Sequence, residues 1–209
     1  MTARPAIYFR MPRVASATLA RLSEGRCVIL PHDLAPREVQ AVLNANRTKY
    51  RWTFVRHPYS RFVSAWDWVH RGVHPRMFPF DMRQRFALRK YETMEGLAHN
   101  LDALCADPKT HPIHFYPQSS YIYLRGRCLV DFVGKYEALE EDYARVKSVL
   151  GLRRMVRFGP NEKNMDRCAP TTPDLPADVR LALNEFYSED FERFGYELSR
   201  TPVASGGRM

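Results

Sequence analysis

Residues 6–9 read AIYF and residues 10–18 read RMPRVASAT, and the fold is decided by the junction between them. AIYF is a short apolar run of strand length. RMPRVASAT is a polar loop, and SATLARLSE, which begins inside it, has the spacing of a helix. Strand, polar loop and helix form the layout of a phosphate-binding loop, in which backbone N–H groups at a helix start face an anion. The stretch lacks the glycines and the Gly-Lys-Ser/Thr ending of a triphosphate loop. The residues therefore predict an anion site around Arg10, Arg13, Ser16 and Thr18, and leave the anion's identity open. A loop of solvated arginines with Ser16 as a helix cap is the structural alternative.

Outward from this junction the pattern alternates. Gly25 stops the first helix, and CVIL (27–30) reads as a strand. A helix over 35–46, the strand RWTFV (51–55) and a helix from Pro58 to about 70 follow, proline suiting a first helical turn. Residues 71–117 are rich in Pro and His and predict two helices, over 81–91 and 94–105. After YIYL (121–124) come a strand over 130–136, a helix over 138–151, a loop rich in Asn, Lys and Pro, and one C-terminal helix over 175–196. The tail from 201 to 209 is expected to be disordered. Strands alternating with helices predict an α/β fold with a central parallel sheet flanked by helices. Residues 1–200 are expected to form one domain, with 71–117 as a helical insertion. In such sheets ligands lie at the carboxyl ends of the strands. Three polar loops fall there: RMPRVASAT, PHD (31–33) and RHPYSR (56–61).

Composition narrows the partners. The chain has 209 residues, 45% of them hydrophobic and 26% charged, the profile of an ordinary globular protein with a formal charge of +9. That charge points to an anionic partner, whether nucleic acid, a phosphorylated cofactor or a sulfated or uronic polymer. No helix-turn-helix, zinc-finger or RNP-like pattern is visible, so nucleic acid is not expected. Cys27, Cys105, Cys128 and Cys168 lie far apart without a C-x-x-C pair, which argues against a disulfide scaffold or zinc ribbon. Pro112 between His111 and His114 disfavours a metal pair, and no metal is expected. No apolar run reaches signal-peptide or membrane-span length, so a soluble, cytoplasmic protein is expected.

RHPYSRFVSAW (56–66) carries the sharper chemistry. Arg56 ends an apolar strand, where a guanidinium must meet an anion or a carboxylate such as Asp67. With Ser64 on the following helix it can pinch one phosphate through a bidentate fork. Glu137, Glu140, Glu141 and Asp142 fall at a helix start, where a structural role against the helix dipole is the preferred reading.

Taken together, the segments resemble the sulfotransferases that use 3′-phosphoadenylyl sulfate, in particular the branch of Golgi carbohydrate and heparan sulfate enzymes and their bacterial relatives. RMPRVASAT resembles that family's 5′-phosphosulfate loop, and TFVRHPYSRFVSAW its 3′-phosphate motif. HFYPQSSYI, VDFVGKYEALEEDYARV and FYSEDFERFGY resemble its later segments, in the same order. Residues 71–110 match nothing in it.

The resemblance implies a fold like that of nucleotide kinases, P-loop-like, binding a bisphosphorylated adenosine. Arg56 and Ser64 would hold the 3′-phosphate. Arg10, Arg13, Val14, Ala15, Ser16, Ala17 and Thr18 would cradle the 5′-phosphosulfate, and Lys163 in the NEKN loop (161–164) would touch nucleotide or acceptor. Arg13 stands where the family has lysine, and Ala17 where it has threonine. Arginine keeps the charge at that position but is a poor proton donor. Sulfuryl transfer resembles phosphoryl transfer, an in-line displacement governed by positioning and charge. Arg13 and Arg10 suit the leaving-group charge, and His32 is the candidate base, with Asp33 and His114 as alternatives. The acceptor, most simply a carbohydrate hydroxyl, is expected against Arg71, Arg76, Arg83, Arg85, Arg89 and Lys90. A small-molecule kinase, a basic nucleic-acid-binding protein and a nucleotide-binding relative without transfer activity remain the other readings.

Overall fold

The computed structural model describes residues 4–70, 79–152 and 173–199. Strand β1 (Ala6–Phe9) is buried along its whole length and runs into helix α1 (Ser16–Leu22). Strand β2 (Cys27–Leu30), helix α2 (Pro36–Ala45), strand β3 (Tyr50–Val55) and helix α3 (Pro58–His70) follow. Helices α4 (Pro79–Leu88), α5 (Met94–Ala98) and α6 (Leu101–Ala106) come next. A single helical turn, α7 (Ser119–Ile122), leads into a hairpin of β4 (Tyr123–Leu124) and β5 (Arg127–Cys128). Strand β6 (Phe132–Lys135), a 3-10 turn (Tyr136–Ala138) and helix α8 (Leu139–Leu150) come next. Helices α9 (Ala177–Phe186) and α10 (Ser188–Phe194) end the described chain.

The four longer strands form one parallel sheet in the order β2-β1-β3-β6, as the alternation predicts. Its strands are apolar runs rather than alternating ones, because a central parallel strand is covered on both faces. The order places the topological switch between β1 and β3: the chain leaves β1 toward β2 on one side, and leaves β3 toward β6 on the other. Registered pairing of β1 with β3 stops at Tyr8 and Trp52, whereas β1 stays paired with β2 to Phe9 and Leu30. β3 stays paired with β6 to Val55 and Lys135. At the point of divergence the Thr53 hydroxyl donates to the Phe9 carbonyl at 2.7 Å. In a doubly wound sheet such a divergence marks the crevice in which ligands bind.

Two apolar clusters flank the sheet. One gathers Ile7, Tyr8, Trp52 and Phe54 of the strands with Leu19, Tyr143 and Val146 of α1 and α8. The other joins α3, α5, α6 and α9 through Phe62, Val69, Leu97, Leu101, Phe115 and Leu183. Leu88, Leu97, Leu101, Leu104 and Phe115 of the segment expected to be an insertion are therefore core.

Three expectations change. The single helix expected over 94–105 is two, α5 and α6. The break falls at Asn100, whose side-chain amide donates to the Gly96 carbonyl and whose backbone leaves helical geometry. The C-terminal helix is also two. It breaks at Tyr187, whose buried hydroxyl is anchored on the Phe115 carbonyl at 2.7 Å, so that α9 packs on α3 and α5 while α10 packs on α7. The β4–β5 hairpin has no counterpart in the sequence reading; Arg125 and Gly126, at φ 51° and 76°, form its turn. The tail, Lys163 and Cys168 lie outside the described residues. Cys27, Cys105 and Cys128 are free thiols.

Gly134 pairs with Phe54 across β6 and β3, and a Cβ there would lie 2.6 Å from the Phe54 ring. That ring is held in the core, so Gly134→Ala is expected to destabilise the protein by about 1–3 kcal/mol through overpacking. A thermal melt checks this, and an unchanged midpoint would contradict it.

Candidate active site

The loop after β1 is shaped by what it must bury. Met11 and Val14 point into the core with no exposed surface, so Val14 can offer a ligand only its backbone. Burying them on a tight loop forces Arg13 and Ala15 into left-handed geometry, φ 66° and 56°. Such conformations cost a non-glycine residue about 1–2 kcal/mol and persist where the surroundings over-determine them. They turn successive N–H groups to one side, the arrangement of an anion nest. Helix α1 then starts at Ser16 with no side-chain cap and no acid in its first turn. Leu19 N bonds the Ala15 carbonyl, which leaves the amides of Ser16 and Ala17 without intrahelical acceptors.

Arg13 crosses the crevice. Its Nε and Nη2 donate to Ser64 Oγ on α3 at 3.1 and 3.0 Å. The sequence reading assigned these two residues to opposite ends of a nucleotide; the structure joins them by one hydroxyl. Arg56, only 4% exposed, comes up beside them and donates through Nη1 to the Arg13 carbonyl at 3.4 Å. Its guanidinium lies 4.8 Å from the Tyr136 ring centre. Arg56 has no ion pair among the described residues, and neither the buried Nε of Arg56 nor that of Arg10 has a hydrogen-bond partner among them. A buried cation held by one long bond to a neutral carbonyl is costly unless an anion completes it. The orphaned donors fit a phosphate-bearing ligand.

The backbone of Arg56 is gripped by a residue the sequence reading left without a role. Buried Gln118 accepts from Arg56 N and donates to Arg56 O, both at 2.8 Å. Gln118 is in turn fixed by Asp190, fully buried in the first turn of α10. Its carboxylate accepts from the amides of Gln118 and Ser119 at 2.7 Å each. Two segments quoted above only for their resemblance, HFYPQSSYI and FYSEDFERFGY, thus become one clamp on the arginine. Glu137 bridges elsewhere: it accepts from His57 N at 2.8 Å and from the Tyr196 hydroxyl at 2.9 Å. Its role is structural, as expected, though it staples the segment after α10 rather than only complementing a helix. Asp142 likewise accepts from Lys135 N at 2.7 Å. Burial holds the His57 imidazole below its ordinary pKa, against the pull of Glu137, so His57 adds no charge to the crevice at neutral pH.

His32 lies two residues past β2, half-buried, with its ring centre 6.4 Å from that of His114. His114 packs 4.1 Å from Trp68 and is held in place by Arg61, whose Nη1 donates to the His114 carbonyl at 3.0 Å. Two of the three candidate bases, from distant parts of the sequence, are therefore neighbours. Arg10, His32 and Asp33 share one cavity of about 340 Å³. Arg85, expected to face an acceptor, is instead buried, with Nε on the Val69 carbonyl at 3.1 Å. Arg89 and Lys90 are exposed; Arg71 and Arg76 lie outside the described residues.

Fold and crevice together define a parallel α/β protein that gathers Arg10, Arg13, Arg56 and Ser64 at its topological switch point. The family model for the Sulfotransferase family matches residues 30–197, and the chain belongs to that family. The match takes in His32, Arg56, Ser64, Gln118 and Asp190 but begins after the RMPRVASAT loop. Similar proteins include Carbohydrate sulfotransferase 11 of Mus musculus and that of Rattus norvegicus, each 28% identical over 170 residues, 71% of this chain and 47% of theirs. The chain spans about half the length of these curated relatives. No solved structure matches it significantly. Among the described residues, no helix is long and apolar enough to cross a membrane.

Proposed function

We propose that the protein moves a sulfuryl group from 3′-phosphoadenylyl sulfate to a hydroxyl of an acceptor, a carbohydrate being the class suggested by its relatives. The observation that carries this is the buried guanidinium of Arg56, brought against Arg13 and Ser64 with no carboxylate to neutralise it among the described residues. Arg56 and Ser64 hold the 3′-phosphate. The backbone of residues 14–18 and the guanidiniums of Arg10 and Arg13 face the 5′ end. When bound, the donor supplies an activated sulfuryl group on a phosphate leaving group. Arg13 meets the charge that grows on that leaving group, a task needing a fixed cation rather than a proton, so arginine in place of lysine is compatible with it. His32 takes the proton of the acceptor hydroxyl, with His114 beside it. Asp33 shares the cavity but is exposed.

His32→Ala is expected to reduce turnover by about 10²–10⁴-fold, the usual contribution of a positioned general base, with nucleotide affinity unchanged. A single-turnover assay with labelled donor, run beside a nucleotide titration, reads both. Undiminished turnover removes His32 from the role, and the same assay on His114→Ala tests the neighbouring imidazole.

A further inference from the structure

The cavity that holds Arg10 and His32 has a second side. It is walled by Leu34 and Val39 at the β2 end, and by Ile113, Leu124 and Leu129 of the segment around the hairpin. We infer that this cavity receives the apolar part of an amphipathic acceptor, a compact aryl or alkyl group adjoining the hydroxyl to be sulfated. The inference rests on the transfer reading for the hydroxyl, but its binding component stands separately.

Three features choose this occupant over a bare or anionic sugar. The first is size. About 340 Å³ is near the lower end of small-molecule pockets, roughly 300–1,000 Å³, room for one or two rings and not for a stretch of polymer. The second is hydrogen bonding. Three hydroxyls in its wall are already engaged: Tyr121 donates to the Ile113 carbonyl, Ser120 to the Pro117 carbonyl, and Tyr116 meets His111 Nδ1. A sugar ring buried here would find polar partners at the Arg10, His32 and Asp33 end and leave the hydroxyls on its other edge unmet, whereas an aryl or alkyl group gains from the leucine and valine walls. The third is charge. Arg10 and Asp33 bring one charge of each sign, which gives no net attraction for sulfates or uronates. Of the basic side chains expected to meet an anionic glycan, Arg85, Arg89 and Lys90 do not line this cavity.

The test is isothermal titration with three probes, run with and without adenosine 3′,5′-bisphosphate: 4-nitrophenyl β-galactoside, methyl β-galactoside and heparin. The aryl glycoside is expected to bind at least tenfold more tightly than the methyl glycoside. Val39→Trp and Leu124→Trp, which fill the cavity from opposite walls, should each abolish that preference while leaving nucleotide affinity within twofold. The inference is overturned by equal binding of the two glycosides, including failure of both. A preference that survives both fillings overturns it too, as does heparin binding that both fillings weaken. Failure of the wild type to bind the nucleotide would defeat the donor reading alone, because the aryl preference is read without nucleotide as well.

Discussion

Arg56→Ala should weaken binding of adenosine 3′,5′-bisphosphate by about 10²-fold, near 3 kcal/mol, the loss of a charge-assisted fork onto phosphate in a buried site. The same substitution should leave the melting temperature unchanged or raise it. Arg56 is 4% exposed and its guanidinium has only the Arg13 carbonyl and the Tyr136 face as partners among the described residues, so the free protein bears an uncompensated desolvation cost. Gln118 bonds the Arg56 backbone, which alanine keeps, so the clamp survives. Function and stability therefore move in opposite directions, as expected of a residue kept for its ligand. Arg56→Lys should recover part of the affinity, since charge returns without the fork. Loss of both binding and stability would mark Arg56 as a structural arginine and contradict the site.

Asp190→Ala should cost about 2–5 kcal/mol of stability, because it strands the buried amides of Gln118 and Ser119 at about 1–3 kcal/mol each. For a chain of 209 residues this is a fall of roughly 10 °C in the melting temperature. Gln118→Leu tests positioning. It removes both bonds to Arg56 while the Gln118 backbone still meets Asp190, so nucleotide affinity should fall about tenfold or more, and the stranded Arg56 N–H and C=O should cost about 1–3 kcal/mol of stability each. Thermal melts of both variants, each paired with a nucleotide titration, check this. An Asp190→Ala protein as stable as wild type, or a Gln118→Leu protein with wild-type affinity, would remove the clamp from the account.

The sheet was readable because its signals are local. AIYF, CVIL and RWTFV are apolar runs bounded by Arg, Pro and Gly, and each becomes a strand within a residue of its expected ends. Arg56 could be singled out for a similar reason, since a guanidinium closing such a run has few structural uses. What could not be read depends on distance in the chain. Gln118 lies 62 residues from Arg56, and Asp190 lies 72 from Gln118. No periodicity links them, and only the fold makes them neighbours. The two split helices show the same limit. Apolar spacing runs unbroken through Tyr187, and the break follows from its tertiary bond to Phe115 rather than from a helix-stopping residue. Arg13 shows the same dependence on distance. Its charge predicts an anion site, but its reach to Ser64 across 51 residues, which ties the first loop to α3, is set by the fold alone.

The most direct measurement is titration of the wild-type protein with adenosine 3′,5′-bisphosphate and, separately, with adenosine 5′-monophosphate. If Arg56 and Ser64 recognise the 3′-phosphate, the bisphosphate binds at least tenfold more tightly. Equal affinity for the two nucleotides, or binding of neither, would contradict the account.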